Sequence, residues 1–134
     1  MSGGAADVSG RWHGFYSYRA NAHACPFEAE LREHGGDIVG VTFEIAAFGP
    51  NPGSTLTAQV EGRRIGSAVD FAKTYDEVAL AAYSIHYAGT LAEGGNEIEG
   101  TWTIPGEHSG TFLMIREGAA EAEEERRATE TVRR

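Results

Sequence analysis

Cysteine is nearly absent from this chain: Cys25 stands alone, so no intrachain disulfide can form and an oxidising compartment is not implied. Proline is scarce, with four residues, and each one reads as a break. Pro26, Pro50, Pro52 and Pro105 all fall between alternating segments. Basic residues are few: 11 Lys and Arg stand against 20 Asp and Glu, a net charge of -9 with a pI near 4.9. That balance excludes nucleic acid and anionic membrane as partners, since both are bound by a basic surface that displaces counterions. No apolar run approaches the length of a bilayer span. Met1 to Asp7 is small and polar and lacks the apolar core of a secretory signal. The default expectation is a soluble, cytoplasmic protein.

Glycine is plentiful. There are 18 glycines in 134 residues, without a collagen period, and many lie inside alternating segments, where they favour bent or barrel-forming strands. Apolar residues make up 41%, enough for one modest core, and the length is that of a single domain. Three regions are expected: a disordered lead over 1–7, a β-barrel domain over 8–117, and a charged tail over 118–134, helical or disordered.

The alternation is the main structural signal. Gly10–Tyr18 places Trp12, Gly14, Tyr16 and Tyr18 on one face. Phe27–Arg32 sets Phe27, Ala29 and Leu31 against Glu28, Glu30 and Arg32, and Arg19–Cys25 before it reads as a loop. His34-Gly35-Gly36-Asp37 is a hairpin turn into Ile38–Ile45, whose inward parity is ambiguous. A long loop over Ala46–Ser54 precedes Thr55–Glu61. A quick turn at Gly62-Arg63 then leads into a strand from Ile65 to Tyr75, and Asp76–Ala82 is a longer connection with room for one helical turn. Tyr83–Leu91, Glu97–Ile104 and Gly110–Arg116 complete the series.

Eight strands with alternating long and short connections predict an all-β, eight-stranded antiparallel up-and-down (meander) barrel, with a loop-rimmed mouth and a plainer base. Closure also removes the unprotected edges that an open sheet would present. A two-sheet sandwich is less compatible with such short connections.

Gly10-Arg11-Trp12 at the start of the first strand, with Arg116 at the end of the last, resembles the calycin group of lipocalin-like and avidin-like barrels. In that group a G-x-W motif opens the first strand at the closed end and a basic residue from the last strand packs over the indole. The resemblance implies a structural role for Gly10, Trp12 and Arg116 and a ligand cavity at the opposite end. With one cysteine the lipocalin disulfides have no counterpart, and no avidin-type tryptophan series is present, so no particular ligand is implied.

With Trp12 inward, parity collects Tyr16, Tyr18, Phe27, Lys73, Tyr75, Tyr83, Tyr87, Trp102 and Phe112 as candidate ligand-binding residues. Tyr18, Phe27, Lys73, Tyr75, Tyr83, Ile104 and Phe112 are expected nearest the mouth. Aromatic walls supply contact area while phenol hydroxyls and one ammonium fix orientation, so the expected ligand is a small apolar or aromatic molecule, with an acidic group as one option. Lys73 is the sharpest residue, because an inward ammonium needs water, an anion or a carboxylate. Barrels of this size are also filled by their own side chains, which leaves open a protein-interaction module with a filled core. An isomerase or cyclase with Lys73 and a tyrosine as acid and base is a further alternative.

No catalytic constellation is visible, and no motif for a cofactor. His13 and His86 fall on outward parity and His23, His34 and His108 on loops or turns, without the spacing of a metal-ligand pair. Phe15, Leu113 and Ile115 fall on the outer face across the seam of the first and last strands, which predicts a homodimer interface there.

Overall fold

The structure is a computed structural model that describes residues 7–19, 21–46, 52–77 and 84–118, with the backbone alone for residues 21 and 22. Eight strands follow one another: β1 (Gly10–Tyr18), β2 (Asn21–His34), β3 (Asp37–Ile45), β4 (Thr55–Ile65), β5 (Ala68–Tyr75), β6 (Ser84–Leu91), β7 (Glu97–Ile104) and β8 (His108–Arg116). Each pairs antiparallel with its neighbours, and β8 returns to β1, so the sheet is a closed meander barrel. The expected lead over 1–6, the tail from 119 onward, Tyr83 and the helical turn within 78–82 lie outside the described residues.

Inward alternation builds the core. Trp12, Phe27, Ala29, Leu31, Val69, Phe71, Ile85, Tyr87, Ile98, Trp102, Phe112 and Met114 are buried together. Phe71 and Tyr87 stack at 4.8 Å, with the Phe112 ring edge-on to Tyr87 at 5.0 Å. That layer fills the middle of the barrel.

Two local expectations are corrected and one open point is settled. The segment Arg19–Cys25 is not a long loop: β2 starts at Asn21 and pairs with β1 from Tyr18↔Asn21 onward. Its first residues carry no hydrophobic alternation because they pair on one side only, and the connection from β1 is short. The turn expected at Gly62-Arg63 lies instead at Gly66-Ser67, where Gly66 takes a left-handed φ of 61° that a side-chain-bearing residue adopts only with strain. Gly62 sits inside β4, opposite Ile38 and Phe71. The ambiguous strand is β3, and it resolves against hydrophobicity. Ile38, Thr42 and Glu44 are buried, whereas Val39, Phe43 and Ile45 are exposed.

The base is closed by polar as well as apolar contacts. Trp12 is fully buried and donates its indole N–H to Val8 O at 3.0 Å. The Arg116 guanidinium lies 4.5 Å from the centre of the Trp12 ring. It donates to Ser9 O (2.7 Å), Asp7 O (2.7 Å) and Gly95 O (2.9 and 3.0 Å). Asp7, at the edge of the expected lead, is therefore tied to the base. Glu33 accepts from Arg64 Nε at 2.7 Å and from the Val8 amide at 3.0 Å, which fixes the same segment from the other side. On the outer face, Phe15 pairs with Leu113 and His13 with Ile115; Phe15 is exposed and the other two are half-buried.

Replacing Arg116 with Met keeps much of the stem but strands three carbonyls around a partly buried site. The expected loss is about 2 kcal/mol of stability, read as a lower urea midpoint in tryptophan fluorescence. An unchanged midpoint would show that closure does not rest on this residue.

Candidate functional site

At the end of the barrel away from Trp12 a cavity of about 570 Å³ opens between the strands. Tyr16, Tyr18, Phe27, Lys73, Tyr75, Tyr87 and Trp102 line it, together with Ile85, Ile104 and Glu44. Of the other two residues that parity collected, Phe112 packs in the aromatic layer below and contributes nothing to the wall, and Tyr83 is outside the described residues. Phe27 reaches the cavity because Gly14 faces it across the sheet: a Cβ at Gly14 would clash with the edge of the Phe27 ring.

Glu44 organises the floor. Tyr16 donates its hydroxyl to Glu44 Oε2 at 2.6 Å, Tyr75 donates to Oε1 at 2.8 Å, and Lys73 Nζ donates to Oε1 at 3.1 Å. Lys73 is only 1% exposed and Glu44 8%, so the ion pair is nearly dry. The ammonium also lies 4.9–5.4 Å from the centres of the Tyr75, Tyr16, Phe27 and Tyr87 rings. It is caged by four aromatic faces and one carboxylate.

This arrangement fixes the protonation states. Burial by itself pushes Lys73 toward the neutral amine, but the Tyr87 and Tyr75 oxygens and the Glu44 carboxylate outweigh it, and the pKa is held above the ordinary lysine range. Burial, and then the Glu44 charge, pushes the Tyr16 hydroxyl far up. Tyr75 and Tyr87 are raised chiefly by burial, against the opposing pull of Lys73. At neutral pH Lys73 is an ammonium and the three phenols are protonated.

The carboxylate partner of Lys73 was missed in the sequence because the apolar set on β3 looked like the core face. Its signal was the hairpin. A two-residue turn at Gly35-Gly36 pairs His34 with Asp37 and hence Leu31 with Gly40 and Ala29 with Thr42, and the same parity carries Glu44 to the inner face beside Phe27. Below it, Thr42 Oγ1 is the one buried side-chain oxygen among the described residues without a hydrogen-bond partner.

The cavity also has a side opening. Pairing between β2 and β3 ends at Glu28↔Phe43, so β2 upstream of Glu28 pairs with β1 alone and Glu44 and Ile45 pair with β4 alone. Pro26, which cannot donate to a ladder, lies just beyond the last pair. Ala24, Pro26 and Glu28 on one strand, and Phe43 and Ile45 on the other, border the cavity, although their parity turns them away from the core. The space therefore reaches the surface through the seam. His23 is part of β2 rather than of a loop, and it lines the rim with Cys25.

No protein-family model and no curated protein matches the chain. Among solved structures it is similar to a redesigned β-barrel, with a TM-score of 0.67 at 9% identity over 82% of this chain and 91% of that one. It is also similar to a de novo designed fluorescence-activating β-barrel, with a TM-score of 0.62 at 12% identity over 87% of this chain and 100% of that one. These likenesses are of fold.

Two outcomes test the cluster. Lys73→Met leaves a buried carboxylate without its cation and is expected to cost about 3–5 kcal/mol, whereas Lys73→Met with Glu44→Gln recovers most of that loss. Urea denaturation of both variants decides it, and equal losses in the two would disconnect the residues. The second outcome concerns alkali. Because Tyr16, Tyr75 and Tyr87 ionise later folded than unfolded, their contribution is complete below about pH 10 and declines as pH rises above it. Tyrosinate absorbance should show these three phenols silent until the barrel unfolds; their titration in the folded protein at ordinary values would contradict the burial.

Proposed function

We propose that this barrel binds a small, largely apolar molecule, of aromatic shape, in the cavity above the Glu44–Lys73 pair. One observation carries the reading: a preformed cavity of about 570 Å³ whose walls are aromatic and whose floor holds a few convergent polar groups. Ligand sites have that composition and size. A buried ion pair is a poor means of stabilising a core, since apolar residues of equal volume usually serve as well or better. Its position at the floor of an open cavity suits recognition.

The lipocalin-like reading of the chain agrees with this division of labour. Trp12 and Arg116 close one end, and the cavity stands at the other. The designed fluorescence-activating barrel has the same architecture, and a dye that brightens in a dry, rigid pocket is a natural probe for this chain. Acid–base catalysis is less well supported. Lys73 is held as an ammonium with almost no exposed surface, and Glu44 already accepts three hydrogen bonds.

Titration with a neutral naphthalene dye should give saturable, blue-shifted emission at one site per chain. Ile104→Trp, which places a bulky ring against the wall of the cavity, should weaken that binding at least tenfold while leaving the urea midpoint within about 1 kcal/mol of the parent. If the dye does not bind, or if Ile104→Trp binds it as the parent does, the cavity is not a ligand site.

A further inference from the structure

Resting on the ligand-binding reading, we infer that the cavity is selective for flat aromatic molecules that carry a neutral hydrogen-bond donor, such as a phenol or a ring N–H, and selects against aromatic carboxylates. The inference follows from which polar atoms the cluster leaves available. Among the described residues Lys73 is the only lysine or arginine on the cavity wall, yet its side chain is 1% exposed, and it is surrounded by four rings and the Glu44 carboxylate. An incoming anion finds no ammonium surface to meet.

What does face the cavity is the tyrosines. Tyr16, Tyr18 and Tyr75 are half-buried, more open than Lys73 or Glu44. The hydroxyl hydrogens of Tyr16 and Tyr75 are directed at Glu44, so the lone pairs of those two oxygens remain for a ligand. A phenolic oxygen that already donates to a carboxylate is a stronger acceptor, because hydrogen bonds in a chain polarise one another. The Trp102 indole N–H, a donor on the same wall, is already engaged by Ser17 O at 3.1 Å. Acceptors therefore predominate over donors at the polar end.

The approach has the same sign. Glu28 stands at the outer edge of the side opening and Glu44 behind it, and the chain as a whole carries a net charge of -9. His23 and Thr55, polar groups of the rim, are exposed to water. Beside Glu44 a carboxylate would shed its hydration against the Tyr16 and Tyr75 oxygens, whose protons are already given to Glu44, which is the costly way to bury a charge. The Tyr18 hydroxyl, also on the wall, makes no bond to Glu44. A phenol of the same shape would exchange one hydrogen bond for another.

Three near-isosteric probes separate the terms on the unmodified protein: 2-naphthol, 2-naphthoate and 2-methylnaphthalene, titrated at pH 7 by calorimetry or by their own fluorescence. The expected order is naphthol tightest, by about tenfold or more over each of the others. Naphthoate binding as tightly as naphthol, or tighter, overturns the donor preference while leaving the cavity a ligand site. Methylnaphthalene matching naphthol overturns it too, because the polar floor then recognises nothing. If all three fail to bind, the ligand-binding reading itself falls, and this inference with it.

Discussion

Everything in this molecule depends on the return of β8 to β1. A meander of eight strands gains its last ladder only when residues a hundred positions apart come together, and until then both terminal strands present unsatisfied N–H and C=O groups. Main-chain pairing from Trp12↔Arg116 to Tyr18↔Gly110 makes the closure. The Arg116 side chain adds a second bond between the same ends by reaching Ser9 and Asp7. The guanidinium stands over the indole it helps to bury. Because one residue satisfies carbonyls from the lead segment, the β6–β7 connection and the face of Trp12, the base of the barrel is over-determined, and the other end is free to be hollow.

That hollow end has a different problem. Lys73 points inward on β5, and an ammonium in a dry aromatic space is tolerated only with compensation close by. Glu44 supplies the partner, and Tyr16 and Tyr75 donate hydrogen bonds to the same carboxyl group. The three strands that carry these groups, β1, β3 and β5, are not neighbours in the sheet. The cluster therefore links across the interior what the ladders link only around the wall.

The architecture was largely legible in the alternation, because a closed barrel with a filled middle demands period-two patterning on every strand. Strand count, closure and the inward set on β1, β5, β6 and β7 follow from it. What the pattern failed to convey has two physical causes. On β3 the outward face carries Val39, Phe43 and Ile45 and the inward face Thr42 and Glu44, so hydrophobicity points the wrong way and only hairpin register decides. On β2 the residues before Phe27 pair on one side, and a strand without a second partner need not alternate. Both of these fall on the cavity, whereas the displaced β4–β5 turn at Gly66-Ser67 lies away from it. Phe112, on a well-patterned strand, was placed on the correct face but at the wrong height, since parity gives the side of a strand and says nothing of depth.

The two irregularities are connected. Where Pro26 interrupts the ladder between β2 and β3, the wall of the barrel parts, and the end of β3 keeps a main-chain partner only in β4. A strand end held on one side would fray into the opening. Glu44 lies on that end, and its three hydrogen bonds pull inward, toward β1 and β5, the segment that β2 has released. The ion pair thus braces the margin of the opening that makes the cavity accessible. The same geometry decides what the brace offers a guest: each tyrosine that donates to Glu44 has its proton committed there, which leaves its oxygen as an acceptor. The polarity of the site is then a consequence of how the seam is held open, and support and recognition are two aspects of one set of contacts.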